Sequence, residues 1–91
     1  MLPAPLDQLP DASRHAVRVE KGTILFRHGD TSRAFYFVQK GAVRLVRHSK
    51  AGDEITIHQS FPGETFAEAS LFSDAYHCDA VVERDATLLQ L

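Results

Sequence analysis

The chain has 91 residues, a formal net charge of −2 with neutral histidines, and a single cysteine. That length makes one domain, and the near balance of charge argues against a nucleic-acid-binding surface, which is normally basic. One cysteine can form neither an internal disulfide framework nor a four-thiolate metal site, so a reducing cytoplasm is the default location. No apolar run is long enough to span a bilayer, and the first residues lack the pattern of a secretory signal, so we expect no membrane contact.

Short strands are predicted along most of the chain. Glycines recur at intervals of 7 to 12 residues, and turn signals at this spacing are typical of consecutive strands in a sandwich or barrel. Between them, β-branched and aromatic residues alternate with polar ones, as half-buried strands require because successive side chains point to opposite faces. The glycines are Gly22, Gly29, Gly41, Gly52 and Gly63. The predicted strands are Val17–Glu20, Thr23–Phe26, Phe35–Val38, Val43–Val46, Glu54–His58, Tyr76–Arg84 and Thr87–Leu91.

The segment Glu64–Phe72 differs in composition, because it is rich in good helix formers. Thr65 is placed to cap a short helix, with Glu68 three residues later completing a capping box. Ser49–Asp53 lies between two strand patterns and predicts a hairpin turn. The sequence therefore predicts an all-β domain with one short inserted helix.

The chain stops in an apolar strand pattern at Leu88–Leu91. An unpaired strand edge invites association. We therefore expect residues 1–91 to be a single domain from a longer protein, or to have a partner that covers this end.

Two stretches of the chain carry motifs that occur together. The first is Leu25–Asp30, which ends in Gly-Asp, followed by the aromatic and apolar run Ala34–Leu45. The second is Phe61–Phe72, with Pro-Gly-Glu and Phe-Ala-Glu in sequence, followed by Tyr76–Val82. Together they resemble the sensor domain of the Crp/Fnr family of bacterial transcription regulators, and the second stretch is similar to that family's phosphate-binding cassette. They cover most of residues 17–91.

The resemblance implies a double-stranded β-helix, or jelly roll, with the short helix inserted between strands. The family's cassette glutamate, which binds the ribose hydroxyl, corresponds to Glu68, and the cassette glycine corresponds to Ala67. The phosphate-binding arginine corresponds to Cys78, and the small hydroxyl residue after it corresponds to Asp79. The ligand-binding candidates are therefore Ala67, Glu68, Ala69, Ser70, Cys78 and Asp79.

Two of these positions depart from the family pattern. An arginine supplies a fixed charge and a fork suited to phosphate oxygens, whereas Cys78 supplies neither. Asp79 adds a negative charge, and like charges repel strongly in a partly desolvated pocket, while His77 contributes positive charge only when protonated. The sequence thus predicts a small-molecule effector but weak or absent binding of cyclic AMP or cyclic GMP in the ordinary mode, and it identifies no certain cofactor.

Structural interpretations of the same residues stay open. Glu68 is either a ligand contact or only the capping acid of the helix. Cys78 is either a redox-, nitric-oxide- or metal-responsive thiol or a small buried apolar residue. Asp79 belongs either to the pocket or to a solvated strand edge.

Metal and catalytic chemistry find little support. A cupin-type metalloenzyme needs a His-x-His pair, and only His48 and His58 with Glu54 or Glu64 approach such a set. Haem ligation by His77 and Cys78 conflicts with strand alternation, and an iron–sulfur cluster needs several thiolates. No nucleophile, base and orienting group are recognisable together, so we predict no enzyme and no metal site.

The predicted function is regulatory. Effector contacts with the cassette would bias the position of a following helix. The resemblance implies a homodimer in the parent protein and DNA binding only through a helix-turn-helix domain absent from this chain. The alternative is a ligand-free interaction or dimerisation module of the same fold, with Phe66, Leu71, Leu45 and Ile57 filling the pocket.

Overall fold

The computed structural model of the chain describes residues 15–32, 34–68 and 72–91. These residues form six strands: β1 (His15–Val19), β2 (Ile24–Phe26), β3 (Tyr36–His48), β4 (Glu54–Ser60), β5 (Thr65–Phe66) and β6 (Asp79–Gln90). The described ranges contain no α-helix. None of their segments is a helix of the length and apolar character that crossing a bilayer requires. The all-β class predicted from glycine spacing and alternation is confirmed.

Strand β6 lies in the middle of the antiparallel sheet. The strand order is β1-β6-β3-β4, with β2 also beside β6 and β5 beside β3. On one side β6 pairs with β3, from Tyr36 opposite Gln90 to Val46 opposite Asp79. On its other side it pairs first with β2 and then with β1. The two predicted strands at Tyr76–Arg84 and Thr87–Leu91 are therefore largely one strand.

The core is formed by alternating positions on the two long strands and by an aromatic cluster. Val38, Val43, Val82 and Leu88 are fully buried. Four rings pack beside them, with centroids 3.7 Å apart for Phe26 and Tyr76 and 5.1 Å apart for Tyr36 and Phe66. Stacked pairs of this kind add about 0.5–1.5 kcal/mol beyond the burial of their area. Burial next to Tyr76 raises the pKa of Tyr36 to about 12.

Gly41 corrects the prediction that every glycine marks a turn between strands. It lies inside β3, where the register with β6 shifts on both sides of it. Its φ is +84°, and a Cβ there would meet the Asp85 carbonyl oxygen and lie 2.7 Å from the Ala86 Cα. A glycine inside a strand marks a bulge or a close backbone approach, and Gly41 has both.

The predicted hairpin at Ser49–Asp53 is confirmed. Ser49 N–H donates to the Asp53 carbonyl at 2.9 Å, and Gly52 N–H donates to the Ser49 carbonyl at 2.9 Å. This turn joins β3 to β4. Along β4 the predicted half-burial is wrong, because all residues except Ser60 are exposed.

The predicted helix at Glu64–Phe72 does not begin where the sequence placed it. Thr65 pairs with Phe37 and Phe66 pairs with Tyr36, which makes these two residues strand β5. Pairing buries Phe66 almost completely in the core, and that gain outweighs the helix propensity of its neighbours. Residues 69–71 of the predicted helix lie outside the described residues.

Candidate ligand-binding cleft

Three of the predicted ligand-binding residues line one cleft. It has a volume of about 190 Å³ and lies between the cassette residues after β5, the middle of β3 and the residues before β6. Ala67, Glu68 and Cys78 are all among its lining residues. The full lining is Phe26, Leu45, Ala67, Glu68, Ala75, Tyr76, His77 and Cys78. Ala69 and Ser70 lie outside the described residues.

Ala67 holds an unusual backbone conformation at the cleft. Its φ is +68°, in the left-handed region, and it is the non-glycine residue that the described chain places there. This conformation brings Cβ close to the following carbonyl and costs roughly 1–2 kcal/mol for an L-residue. Strained residues of this kind concentrate at ligand sites. The position corresponds to the cassette glycine of the family pattern, and glycine is the residue that adopts positive φ without steric cost.

Glu68 does not act as the acid of a capping box. Its Oε1 accepts a hydrogen bond from the Thr65 hydroxyl, whereas a capping box joins each side chain to a backbone N–H. Thr65 belongs to β5, so the bond ties the cassette to the edge of the sheet. The result is a carboxylate held at the cleft wall and able to accept hydrogen bonds from hydroxyl groups.

Cys78 is half-buried, and its surroundings favour the protonated form of the thiol. Burial raises the pKa of its thiol, the neighbouring Asp79 carboxylate raises it further, and the Arg47 guanidinium acts in the opposite direction. The thiolate is the reactive form of cysteine. The site therefore favours the protonated, weakly reactive thiol over a redox-responsive one.

Asp79 lies away from this cleft. It is buried, and its Oδ1 accepts a hydrogen bond from His28 N–H at 2.6 Å. Its Oδ2 lies 3.6 Å from His48 Nδ1. Together with Val46 and Arg47, these residues line a second cleft of about 260 Å³. Asp79 is thus a structural acceptor that fixes the turn after β2 to the start of β6, not a solvated strand edge.

The prediction that His77 and Cys78 point to opposite faces of a strand does not apply to these two residues. Both precede the first residue of β6, and both line the 190 Å³ cleft. Strand geometry therefore does not send them to opposite faces. The His77 ring is engaged locally, since its Nε2 lies 3.1 Å from Ser73 Oγ.

The histidines considered for a cupin-type centre do not converge. Within residues 15–32, 34–68 and 72–91, no group of three or more His, Cys, Asp or Glu side chains is placed to hold a metal ion. His48 instead faces Asp79, and Glu54 pairs with Arg44 at 3.1 Å.

Arg47 makes a contact beside the cleft that the sequence does not predict. Its Nε donates to the His77 carbonyl at 3.1 Å, which brings the guanidinium to the chain just before β6. The signal that finds it is the register between β3 and β6, in which Val46 is opposite Asp79. Local sequence carries no trace of that register.

The family model described as "Cyclic nucleotide-binding domain" matches residues 16–91. The chain belongs to the cyclic nucleotide-binding domain family. It is 39% identical over 72 residues to a cyclic AMP receptor protein of Thermus thermophilus, covering 78% of this chain and 33% of the relative.

Solved structures extend this result to the fold. The sensor domain of the transcriptional regulator DNR from Pseudomonas aeruginosa matches with a TM-score of 0.81 and 31% identity, covering 87% of this chain and 54% of that one. The catabolite activator protein of Thermus thermophilus matches with a TM-score of 0.81 and 34% identity, covering 88% and 38%. The predicted resemblance to Crp/Fnr regulators and the β-roll fold are confirmed. The chain spans between a third and about half of the length of these relatives.

Proposed function

We propose that this cyclic nucleotide-binding domain is the effector-sensing part of a Crp/Fnr-type transcription regulator, and that its effector binds in the 190 Å³ cleft. The observation that carries the proposal is the meeting of Ala67, Glu68 and Cys78 around an apolar wall formed by Phe26 and Leu45. Small-molecule sites are typically concave and apolar, with a few polar groups that fix orientation. The role is binding rather than catalysis.

The cleft retains only part of what a cyclic nucleotide requires. Glu68 offers a carboxylate to ligand hydroxyls, and Ala67 adopts the positive φ that a glycine at the corresponding cassette position would favour. Cys78 offers no positive charge to a phosphate, and burial keeps its thiol protonated. We infer that the ordinary phosphate contact from this position is lost.

Signalling in this proposal is a shift between two populated states. The effector favours the state whose cassette contacts are complete, and it can shift the equilibrium only by its difference in affinity for the two. Dimerisation and DNA binding belong to the parent protein outside residues 1–91, and the parent acts in the cytoplasm.

Thermal melting of the chain with cyclic AMP or cyclic GMP tests the proposal, with Cys78→Arg as the gain-of-charge variant and Cys78→Ser as its control. A ligand at 100 times its Kd stabilises the folded state by about 2.7 kcal/mol, and each kcal/mol raises the midpoint of a domain of this size by about 4–8 °C. We expect a small shift for the parent chain and for Cys78→Ser, and a clear rise for Cys78→Arg.

Two results would contradict this. A rise in the parent chain as large as that in Cys78→Arg would show that the phosphate contact at this position was never limiting. No rise in Cys78→Arg at millimolar nucleotide, in a variant whose own melting midpoint matches that of the parent chain, would show that the missing charge at this position is not what prevents nucleotide binding.

A ligand-free interaction module is the second candidate, and the exposed strand β4 favours it. Ile55 is 51% exposed and Ile57 is 49% exposed, and Phe61 just after the strand is 41% exposed. Ile57 therefore does not fill the cleft as the pocket-filling form of this hypothesis requires, although Phe66 is in the core and Leu45 lines the cleft. Sedimentation velocity of the parent chain and of Ile55→Glu separates the candidates, since a module of this kind predicts self-association that the charged variant abolishes.

A further inference from the structure

We propose that the second cleft, of about 260 Å³, binds a small zwitterion of the α-amino acid class, whose ammonium group donates to Asp79 and whose carboxylate is bound by Arg47. This site is separate from the 190 Å³ cleft, because the two clefts share no lining residue. The proposal therefore goes beyond the proposed function and does not depend on it.

Asp79 supplies a buried carboxylate with one oxygen available to a ligand. The residue is only 7% exposed, and its Oδ1 already accepts the His28 N–H at 2.6 Å. Its Oδ2 lies 3.6 Å from His48 Nδ1, which is too long for a hydrogen bond. A carboxylate accepts about four hydrogen bonds, and a buried charge that lacks them is costly. An ammonium group in the cleft would provide the donor that Oδ2 lacks.

Arg47 supplies the opposite charge from the neighbouring strand. Val46 is opposite Asp79 in the register of β3 with β6, and Arg47 is the next residue of β3. Its Nε donates to the His77 carbonyl at 3.1 Å, which leaves the two terminal nitrogens of the guanidinium. Paired N–H groups of this kind bind a carboxylate in a bidentate manner. Among the residues that the structure describes, no carboxylate lies at ion-pair distance from Arg47.

The separation of these two charges selects the class of ligand. Asp79 and Arg47 line the same cleft and form no ion pair with each other. A simple anion bound at Arg47 would be repelled by the Asp79 carboxylate, and a simple cation at Asp79 would be repelled by the guanidinium. A molecule that carries an ammonium and a carboxylate on one carbon satisfies both groups and adds no net charge.

The size of the cleft limits the rest of the ligand. Its volume is about 260 Å³, whereas pockets for drug-sized molecules begin at about 300 Å³. Val46 is the apolar residue of the lining and is almost fully buried. The cleft therefore suits an amino acid with a small side chain.

His48 provides the competing interpretation, in which its ring alone compensates the charge of Asp79. The side chain of His48 is 52% exposed, and ion pairs with one exposed partner contribute little to stability. An ammonium group can therefore replace it at Oδ2. If His48 competes with the ligand in this way, His48→Gln should lower the Kd for the ligand.

The test compares L-alanine with two matched probes. N-acetyl-L-alanine lacks the ammonium charge, and L-alaninamide lacks the carboxylate. Methyl NMR signals of Val46 report on the second cleft, and those of Leu45 and Ala67 report on the 190 Å³ cleft. We expect L-alanine to shift the Val46 signals and each derivative to bind about tenfold more weakly or worse, which corresponds to about 1.4 kcal/mol.

Variants of the two charged residues assign the two ends of the ligand. Arg47→Gln should raise the Kd for L-alanine by about tenfold and leave that for L-alaninamide unchanged. Asp79→Asn keeps an acceptor for the His28 N–H and should weaken L-alanine but not N-acetyl-L-alanine. Arg44→Gln is the matched control, because Arg44 on the same strand is paired with Glu54 and lies outside the lining of the second cleft. If Asp79→Asn does not fold, the comparison of the three probes on the parent chain decides.

Each other outcome contradicts the proposal in a definite way. Equal affinity for L-alanine and N-acetyl-L-alanine would show a site for anions, and equal affinity for L-alanine and L-alaninamide would show a site for cations. Equal weakening of L-alanine and L-alaninamide by Arg47→Gln would show a structural role alone. A higher Kd in His48→Gln would overturn the assignment of the ammonium to Oδ2.

Two results would overturn the location or the site itself. Shifts confined to Leu45 and Ala67 would place the ligand in the 190 Å³ cleft. No shift at Val46 with glycine, L-alanine or L-serine at millimolar concentration would show that the second cleft does not bind this class of ligand. Neither result bears on the melting of Cys78→Arg with cyclic nucleotides, which tests the proposed function separately.

Discussion

Replacing Ala67 by glycine is expected to stabilise the chain, although the same change destabilises most positions. At a φ of +68° the alanine loses roughly 1–2 kcal/mol relative to glycine. Glycine gives the unfolded chain more conformational freedom, which offsets about 0.4–1 kcal/mol of that gain. The net expectation is a stabilisation of about 0–1.6 kcal/mol, centred near 0.8 kcal/mol, and the central value corresponds to a rise in midpoint of roughly 3–6 °C.

Ala51 supplies the matched control, because it lies in the exposed hairpin turn and is not among the residues with positive φ. Ala51→Gly should lower the free energy of unfolding by about 0.4–1 kcal/mol, so the two variants should shift in opposite directions.

Urea unfolding of the parent chain and both variants measures the differences in their free energies of unfolding. The three curves are fitted with a common slope of free energy against urea concentration. An Ala67→Gly variant destabilised as much as Ala51→Gly would refute the reasoning that the cassette backbone is strained at this residue. A stabilised Ala67→Gly variant would keep the backbone conformation of the cassette. The free energy of effector binding should therefore change less than the free energy of unfolding.

Three further changes follow from the described packing. Gly41→Ala should lower the free energy of unfolding by about 2–5 kcal/mol, because the new Cβ would combine left-handed strain with overlap of β6. Gly52→Ala is the control, since a Cβ there meets no atom within 4 Å. If urea unfolding shows a loss for Gly41→Ala no larger than that for Gly52→Ala, the prediction is contradicted. Ser60→Ala should raise the unfolding free energy by about 1 kcal/mol, because its buried hydroxyl has no hydrogen-bond partner in the described chain, and a lower urea midpoint would argue otherwise. The raised pKa of Cys78 means that the folded state holds the thiol proton more tightly than the unfolded state. The free energy of unfolding should therefore fall as pH rises through and above the usual thiol range. Cys78→Ala should lose this dependence in denaturation measured between about pH 7 and 10, and a profile identical to that of the parent chain would exclude the thiol as its source.

The fold class could be predicted because its signals are local. Alternation of apolar and polar residues places strands wherever one face is buried, and the hairpin at Ser49–Asp53 follows from its turn residues alone. Gly41 could not be told from a turn glycine, since both need positive φ, and only the cross-strand approach of β6 distinguishes a bulge. Phe66 was assigned to a helix because propensity says nothing of the core that its ring joins.

In the candidate site, too, the residues close in sequence could be predicted and those brought together by strand pairing could not. Ala67, Glu68 and Cys78 are close in the family pattern, and they meet in the structure. Arg47 lies about 30 residues away from Cys78 in sequence, and only the pairing of β3 with β6 brings the two together. The burial of Asp79 likewise depends on the turn after β2, where His28 N–H donates a hydrogen bond to its carboxylate. The cassette could therefore be located from the sequence, whereas the arginine that the fold brings to the chain just before β6 could not.

The central position of β6 has a consequence for how the chain is made. Three strands that precede it in the sequence, β1, β2 and β3, find their partner on β6. During synthesis β1 and β2 leave the ribosome without that partner, and they remain so until residues 79–90 follow. Contacts between residues distant in sequence form slowly, because loop closure must precede them. In a nascent chain lacking β6, the paired strands would be limited to β3 with β4 and β5. The aromatic rings of Phe26 and Tyr76, which line the 190 Å³ cleft, would then stay exposed to chaperones and to other chains.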